Sequence, residues 1–309
     1  MQAVQEIQQS FAGLKLCAAQ VHLNLALFPL VGEQNAAPAY LLLDEALERE
    51  VAHVAEVTVG GSVPELAFEN RSDDKILLVD GDELVGARQN RVLNLTILVG
   101  GGQKLVIPVS CVEQGRWSYR ERGFRSGRRT LFAKARAAKM CQVTESLVLN
   151  GERRSDQAEV WADVADKVAF CQVNSPTFAM SDAYDESASK VDAYATAFRP
   201  VPNQRGAAIA IDGKPIGVEL FDSPSAFARY LKRLVGSYAL DAMETAAGAA
   251  RAPTTAEVQR FLDSVVAAPG ERFAALGEGE DIRLRGNGIA GGALAVDGRL
   301  VHLAGFAIA

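Results

Sequence analysis

Residues 21–31 alternate, with Val21, Leu23, Leu25 and Leu27 on one side and His22, Asn24 and Ala26 on the other, which is the period of a half-buried strand. The same signal predicts strands over 51–59, 65–69, 75–79, 92–99 and 104–109, interrupted by one short helix at 44–50. The links between them are too short for crossover helices, so this half is expected to be mainly antiparallel. From Thr130 the texture changes to Ala, Lys, Arg, Glu and Gln at helical spacing. Ser155-Asp156-Gln157 then offers an N-cap for a second helix reaching about residue 170.

Residues 175–202 are polar and punctuated by Pro176, Pro200 and Pro202, which predicts a connector with one helix at 187–198. A strand pair follows, 207–211 and 216–221, joined across Asp212-Gly213. Ser223 before Pro224 opens a long helix with Phe227, Tyr230, Leu231, Leu234, Tyr238 and Leu240 on its inner side. After Ala252-Pro253 come a helix at 255–268 and a glycine-rich hairpin region. The expected class is α+β: a mainly antiparallel sheet before about residue 120 with helices packed on it, then the later hairpin and long helix. The expected division is a domain over 1–250 and an extension over 251–309. The hairpin at 207–221 is expected to return to the first half's sheet, because two strands alone leave too much edge exposed. Three segments, 78–86, 208–218 and 294–303, share an Asp-Gly core at unequal spacing, which fits the commonest tight-turn dipeptide better than a repeat.

With 49% hydrophobic and 23% charged residues the 309-residue chain has globular composition, which excludes a disordered protein. No apolar run approaches the roughly 20 residues that span a bilayer, and MQAVQEIQQS has no basic residue ahead of an apolar core, so a cytoplasmic protein without membrane contact is expected. Cys17, Cys111, Cys141 and Cys171 form no close pair, which argues against a zinc site or a disulfide framework. The net charge of −6 makes nucleic acid an unpromising partner. Yet residues 116–139 hold nine basic side chains against Glu121, so this segment is +8 and the remainder −14. Such a field favours an anionic ligand, or is a solvated face bridged to the acidic remainder.

Polar residues crowd two stretches beside predicted strands, DGDELVGARQNR at 80–91 and SCVEQGRWSY at 110–119. Buried polar groups at that density are costly unless something satisfies them. In the first, Asp82 and Glu83 supply acceptors or a general acid or base, Gln89 and Asn90 supply donors, and Arg88 and Arg91 suit a phosphate or carboxylate. In the second, Gln114 and Arg116 add donors and Trp117 and Tyr119 offer flat faces for a ring. Glu83 and Glu113 are the candidate catalytic pair, and Asp156 and Gln157 at a helix start could face the same cavity. Cys111 lacks an evident activating base, since only His22, His53 and His302 exist. The alternative for both stretches is an internally bonded polar network.

The blocks LLVDGDELVGARQNR, IPVSCVEQGRWSY, RSDQAEVW, SPTFAMSD and GVELFDSPSAFARYLKRLVGSYALDAM, in that order, resemble the bacterial and archaeal ADP-ribosylglycohydrolase and rhodanese-phosphatase-superfamily-associated protein domain. The resemblance runs from about residue 21 to 243 and leaves the tail after Ala252 outside. It implies an ADP-ribose-like nucleotide, or a protein carrying that modification, as partner, and names no cofactor. Three functions follow as expectations. The first is a binding or accessory module that takes a phosphorylated small molecule through Arg88, Arg91, Arg116 and Trp117; the second is a hydrolase of a glycosidic or phosphate bond using Glu83 and Glu113; the third is a homo-oligomeric scaffold.

Overall fold

The computed structural model describes residues 4–32, 40–58, 60–121, 123–245 and 252–308. The fold is α+β. Among the described residues every strand pair is antiparallel except β4 (Tyr40–Leu42) with β7 (Lys75–Leu78). The chain forms two compact units, one of 1–38, 191–275 and 279–309, the other of 39–190 with 276–278. That division differs from the expected boundary near residue 250, because the last strands hydrogen-bond into a sheet begun by the first ones.

In the first unit a nine-stranded sheet runs β1 (Leu14–Leu16), β3 (Leu25–Gly32), β13 (Gln204–Ile211), β14 (Lys214–Phe221), β18 (Arg299–Ala307), β17 (Ile289–Val296), β16 (Glu280–Gly286) and β15 (Gly270–Ala274), with β2 (Gln20–His22) also on β3. The hairpin at 207–221 does pair with a first-half strand, Ala208 opposite Phe28. Phe28, Leu30, Ala208, Val218 and Leu220 point to one face and pack with Ile7 of α1 (Gln5–Ala12) and with Val258, Leu262 and Val265 of α8 (Thr255–Ala267). Alternation sends Gly217, Glu219 and Phe221 to the other face, toward α7 (Pro224–Ala242), where Glu219 and His302 form a buried pair at 2.8 Å. The expected strand at 21–31 is instead a hairpin, since Leu23 turns with φ 50° and separates β2 from β3. Asp212-Gly213 and Asp297-Gly298 are two-residue hairpin turns with φ positive at both positions, the geometry Asp-Gly favours.

The second unit holds two sheets. One is β10 (Ile97–Val99), β7, β4; the other is β12 (Phe124–Thr130), β8 (Asp82–Gly86), β9 (Arg91–Leu93), β11 (Lys104–Cys111), β6 (Glu65–Asn70) and β5 (Ala52–Glu56). Leu66, Phe68, Ile76, Leu84, Leu93, Ile97 and Ile107 lie in one core with Leu43 and Ala46 of α2 (Leu43–Glu48). The expected single strand at 92–99 is two strands in different sheets. Ser110 donates to Asn94 Oδ1 at 2.6 Å and Thr96 Oγ1 accepts from the Asp80 amide at 3.1 Å, so side chains satisfy the chain as it changes sheet. β8 and β12 have no apolar alternation to announce them. β12 also carries a register shift between Ser126 and Thr130, with Arg128 at φ 52°. Helices α3 (Ala133–Asn150), α4 (Gln157–Phe170) and α5 (Met180–Glu186) follow; α5 lies inside the expected connector, and α6 (Ala188–Ala197) matches its expected helix.

The third Asp-Gly is no hairpin turn. Asp80 is buried and ion-paired with Arg136, at 2.8 Å, and with Lys139, both from α3. Burial works against its charge, but the two cations hold its carboxyl below the ordinary range.

A Cβ at Gly217 would stand 2.1 Å from Tyr238 Oη, so Gly217→Ala must displace the buried Tyr238 ring of α7. A loss of about 1–3 kcal/mol in urea unfolding is expected from this overpacking, with the slope of the transition unchanged.

Candidate functional site

Three segments of the second unit meet at the end of β11: the β8–β9 connection at 86–90, the β11 exit at 112–120, and the loop at 175–179. Arg116 joins the first two. Its Nε and Nη2 donate to Glu113 Oε1 and Oε2 at 2.8 and 2.7 Å, its Nη1 to the carbonyls of Ala87 and Ser118 at 2.6 and 2.8 Å, and its Nη2 also to Gly86 O and Asn90 Oδ1. These contacts use the planar fork's five N–H groups inside the protein. Gly86 at φ 139° and Ala87 at φ 36° bend the connection so that both carbonyls face the guanidinium.

Glu113 is as fully occupied. It accepts from the Asn90 amide and from Thr177 Oγ1, both at 3.0 Å, besides Arg116, and Arg120 stands 3.5 Å from Oε1. Burial opposes its charge, yet Arg116 and the Asn90 amide hold its pKa below the ordinary value, so it is a carboxylate at neutral pH. Gln89 Nε2 donates to the Glu113 carbonyl at 3.0 Å and, at 3.5 Å, to that of Gln114, whose side chain is exposed. The loop closes the ring: Gly115 N donates to Thr177 O at 2.8 Å, and a Cβ on Gly115 would meet Thr177 Cα at 2.8 Å. Thr177 was not among the residues expected at the site, although it stands in the SPTFAMSD block.

Glu83 is the exception to this saturation. It is 1% exposed, and among the described residues neither carboxyl oxygen has a hydrogen-bond partner. A Cβ at Gly127 would lie 2.4 Å from Oε2, so the β12 bulge packs glycine against the carboxyl. Burial pushes its pKa up to about 7, with Asp185 and Glu113 adding to the shift and Arg129 and Arg125 opposing it. Arg129 is held by Asp185 and by Ser181 O at 3.2 Å. Asp82, next in the strand, is buried opposite Thr130.

Arg91 lies on the core side of β9, buried, donating from Nε to Val63 O at 3.2 Å and from Nη1 to Asn90 O, with its guanidinium 5.8 Å from the Trp117 ring. Above it the surface opens. Arg88 sits 5.4 Å from the Trp117 ring and 4.5 Å from the Tyr119 ring, and these rings are 45% and 47% exposed. Arg88, Arg91 and Trp117 are therefore brought together, whereas Arg116, Glu113, Gln89 and Asn90 form the frame beneath.

Gln157 faces β11: its side chain accepts from the Cys111 amide and donates to the Cys111 carbonyl, both at 2.8 Å, while Asp156 caps α4 through the Ala158 and Glu159 amides. Both residues dock a helix. Burial pushes the Cys111 thiol up, away from the thiolate a nucleophile needs. Among the described residues no group of three or more His, Cys, Asp or Glu is placed to hold a metal ion, and no helix is long and apolar enough to cross a membrane.

A family model for the ARG and Rhodanese-Phosphatase-superfamily-associated Protein domain matches residues 13–306. The chain belongs to that family. The match includes the strands after Ala252, so the tail that was expected to lie outside the domain is part of it. β1 and β15–β18 of the ARG and Rhodanese-Phosphatase-superfamily-associated Protein domain complete the sheet of the first unit. No curated protein and no solved structure matches the chain.

The Glu83 shift has a measurable consequence. A carboxyl raised in the folded state contributes stability that is fully present below the unfolded pKa, 4.5, and is lost as pH rises through about 7. Relative to Glu83→Gln, the natural chain should therefore lose up to about 3 kcal/mol between pH 4 and pH 8, measured by urea unfolding at both pH values. A difference that does not change with pH would show that Glu83 ionises normally.

Proposed function

We propose that the second unit is a binding module for an anionic, ring-bearing small molecule of the ADP-ribose kind. The observation that carries this is the half-exposed stack of Arg88 with Trp117 and Tyr119, held over buried Arg91. Aromatic faces take a base or ribosyl-linked ring with little regard to its hydrogen-bonding edge, and arginine takes phosphate oxygens. Arg120, next to Tyr119 in the chain and 57% exposed, adds a second cation, 3.5 Å from the Glu113 carboxylate. The acidic remainder of the chain makes this local positive field stand out, and the family's name associates it with ADP-ribose and phosphate chemistry.

A hydrolase using Glu83 and Glu113 as a pair has less support. Glu113 is held as a carboxylate by Arg116, the Asn90 amide and Thr177, which leaves it poorly suited to exchanging protons at neutral pH. Arg116 likewise positions the surface and does not grip the ligand, since its donors are engaged within the frame.

Calorimetric titration with ADP-ribose tests the proposal. Binding without release of ribose or phosphate is expected, and Trp117→Ala should weaken it by about tenfold or more, the loss of one stacked ring. Silence, or steady product formation, would overturn the binding-module assignment.

A further inference from the structure

Phe178 follows Thr177 in the loop that closes the frame. Its ring is 48% exposed and its backbone has φ 49°, a conformation that strains a bulky side chain. At Leu23 the β2–β3 hairpin turn sets the same conformation; Phe178 takes it at the end of a turn in which its amide donates to Ser175 O at 3.5 Å, just before Ala179 bridges to Glu113. The loop around it is nevertheless tightly held. Ala179 N donates to Ser175 Oγ at 3.0 Å, Ser175 Oγ donates to Asp182 Oδ2 at 2.5 Å, and the Met180 amide donates to Val112 O at 2.9 Å. About half of the Phe178 surface stays exposed on this tightly held loop, so an apolar face is available there to a ligand.

The loop that carries Phe178 is joined through its backbone to the segment that carries Trp117. Gly115 and Thr177 are in backbone contact, Trp117 is two residues beyond Gly115, and Phe178 is adjacent to Thr177. At about 3.8 Å per residue the Cα atoms of Trp117 and Phe178 are no more than roughly 16 Å apart, which puts both residues within the span of an extended nucleotide-like ligand. Phe178 has no polar atom. It can add affinity only for a ring or another apolar moiety, never for phosphate.

We infer that the ligand surface is divided: Phe178 and Trp117 form a ring subsite that takes the base of a nucleotide-like ligand, and Arg88 and Arg120 form the anion subsite. This rests on the Trp117 face being the ligand surface proposed above. The strained backbone of Phe178 is then the device that sets the ring toward the ligand.

The test compares ADP-ribose with inorganic pyrophosphate, by calorimetry, on the natural chain and on Phe178→Gly and Phe178→Leu. Glycine relieves the positive φ, so Phe178→Gly should keep or raise the melting temperature. It should nonetheless weaken ADP-ribose by about tenfold while leaving pyrophosphate affinity within about twofold; Phe178→Leu should fall between. If the natural chain binds ADP-ribose and Phe178→Gly binds it equally well, or loses both ligands in parallel, the ring subsite is overturned while the binding surface stands. If the natural chain takes neither ligand, the surface itself fails and the subsite with it.

Discussion

The buried pair of Glu113 and Arg116 is the interaction on which the rest of the site depends. An ion pair removed from water is favourable only when its geometry is good and its remaining donors and acceptors are satisfied. Here both conditions hold. The pair is bidentate, and the surplus donors of Arg116 reach the Gly86, Ala87 and Ser118 carbonyls, while the carboxylate takes the Asn90 amide and Thr177. One charged pair thereby fixes the positions of three segments distant in sequence. Removing either member would leave the other charged, buried and alone, a loss on the order of 3–5 kcal/mol.

The same device appears beneath β7, where Asp80 is neutralised by Arg136 and Lys139 of α3. In both places the polar residues that would seem out of place in a core bind segments together. Arg88, Trp117, Tyr119 and Arg120 lie at the surface beside this frame, with Arg91 buried near the Trp117 ring. Glu83 belongs to neither class. It is buried with no hydrogen-bond partner among the described residues, and the glycine bulge of β12 packs against it.

How much of this was legible in the sequence follows from where side-chain character and burial agree. The strands β5, β6, β7 and β11 and the helices α7 and α8 were legible because apolar period and turn chemistry coincide there: Pro224 opens α7, and Asp212-Gly213 turns the hairpin. β8 and β12 were not, because Asp82 and Glu83 face the interior as carboxyl groups and Arg125, Arg128 and Arg129 cover an edge strand, so each reads as a loop. The polar stretches are legible as a region, and Arg88 and Trp117, expected at one surface, do lie together. The division of labour within them was not legible, since whether Arg116 meets a ligand or Glu113 depends on a side-chain geometry that spacing does not encode. Phe178 escaped notice because a lone apolar residue in a polar loop has no period, and its backbone conformation is visible only in three dimensions.

The central claim is that the Glu113–Arg116 pair holds three segments as one frame. Amide hydrogen exchange on Arg116→Lys, which keeps the charge but loses the planar fork, tests it most directly. Protection should fall together at the Ala87, Asn90, Gly115 and Met180 amides, while the β13–β14 ladder exchanges as in the natural chain. Protection lost at only one of the three segments, or at none, would contradict the account.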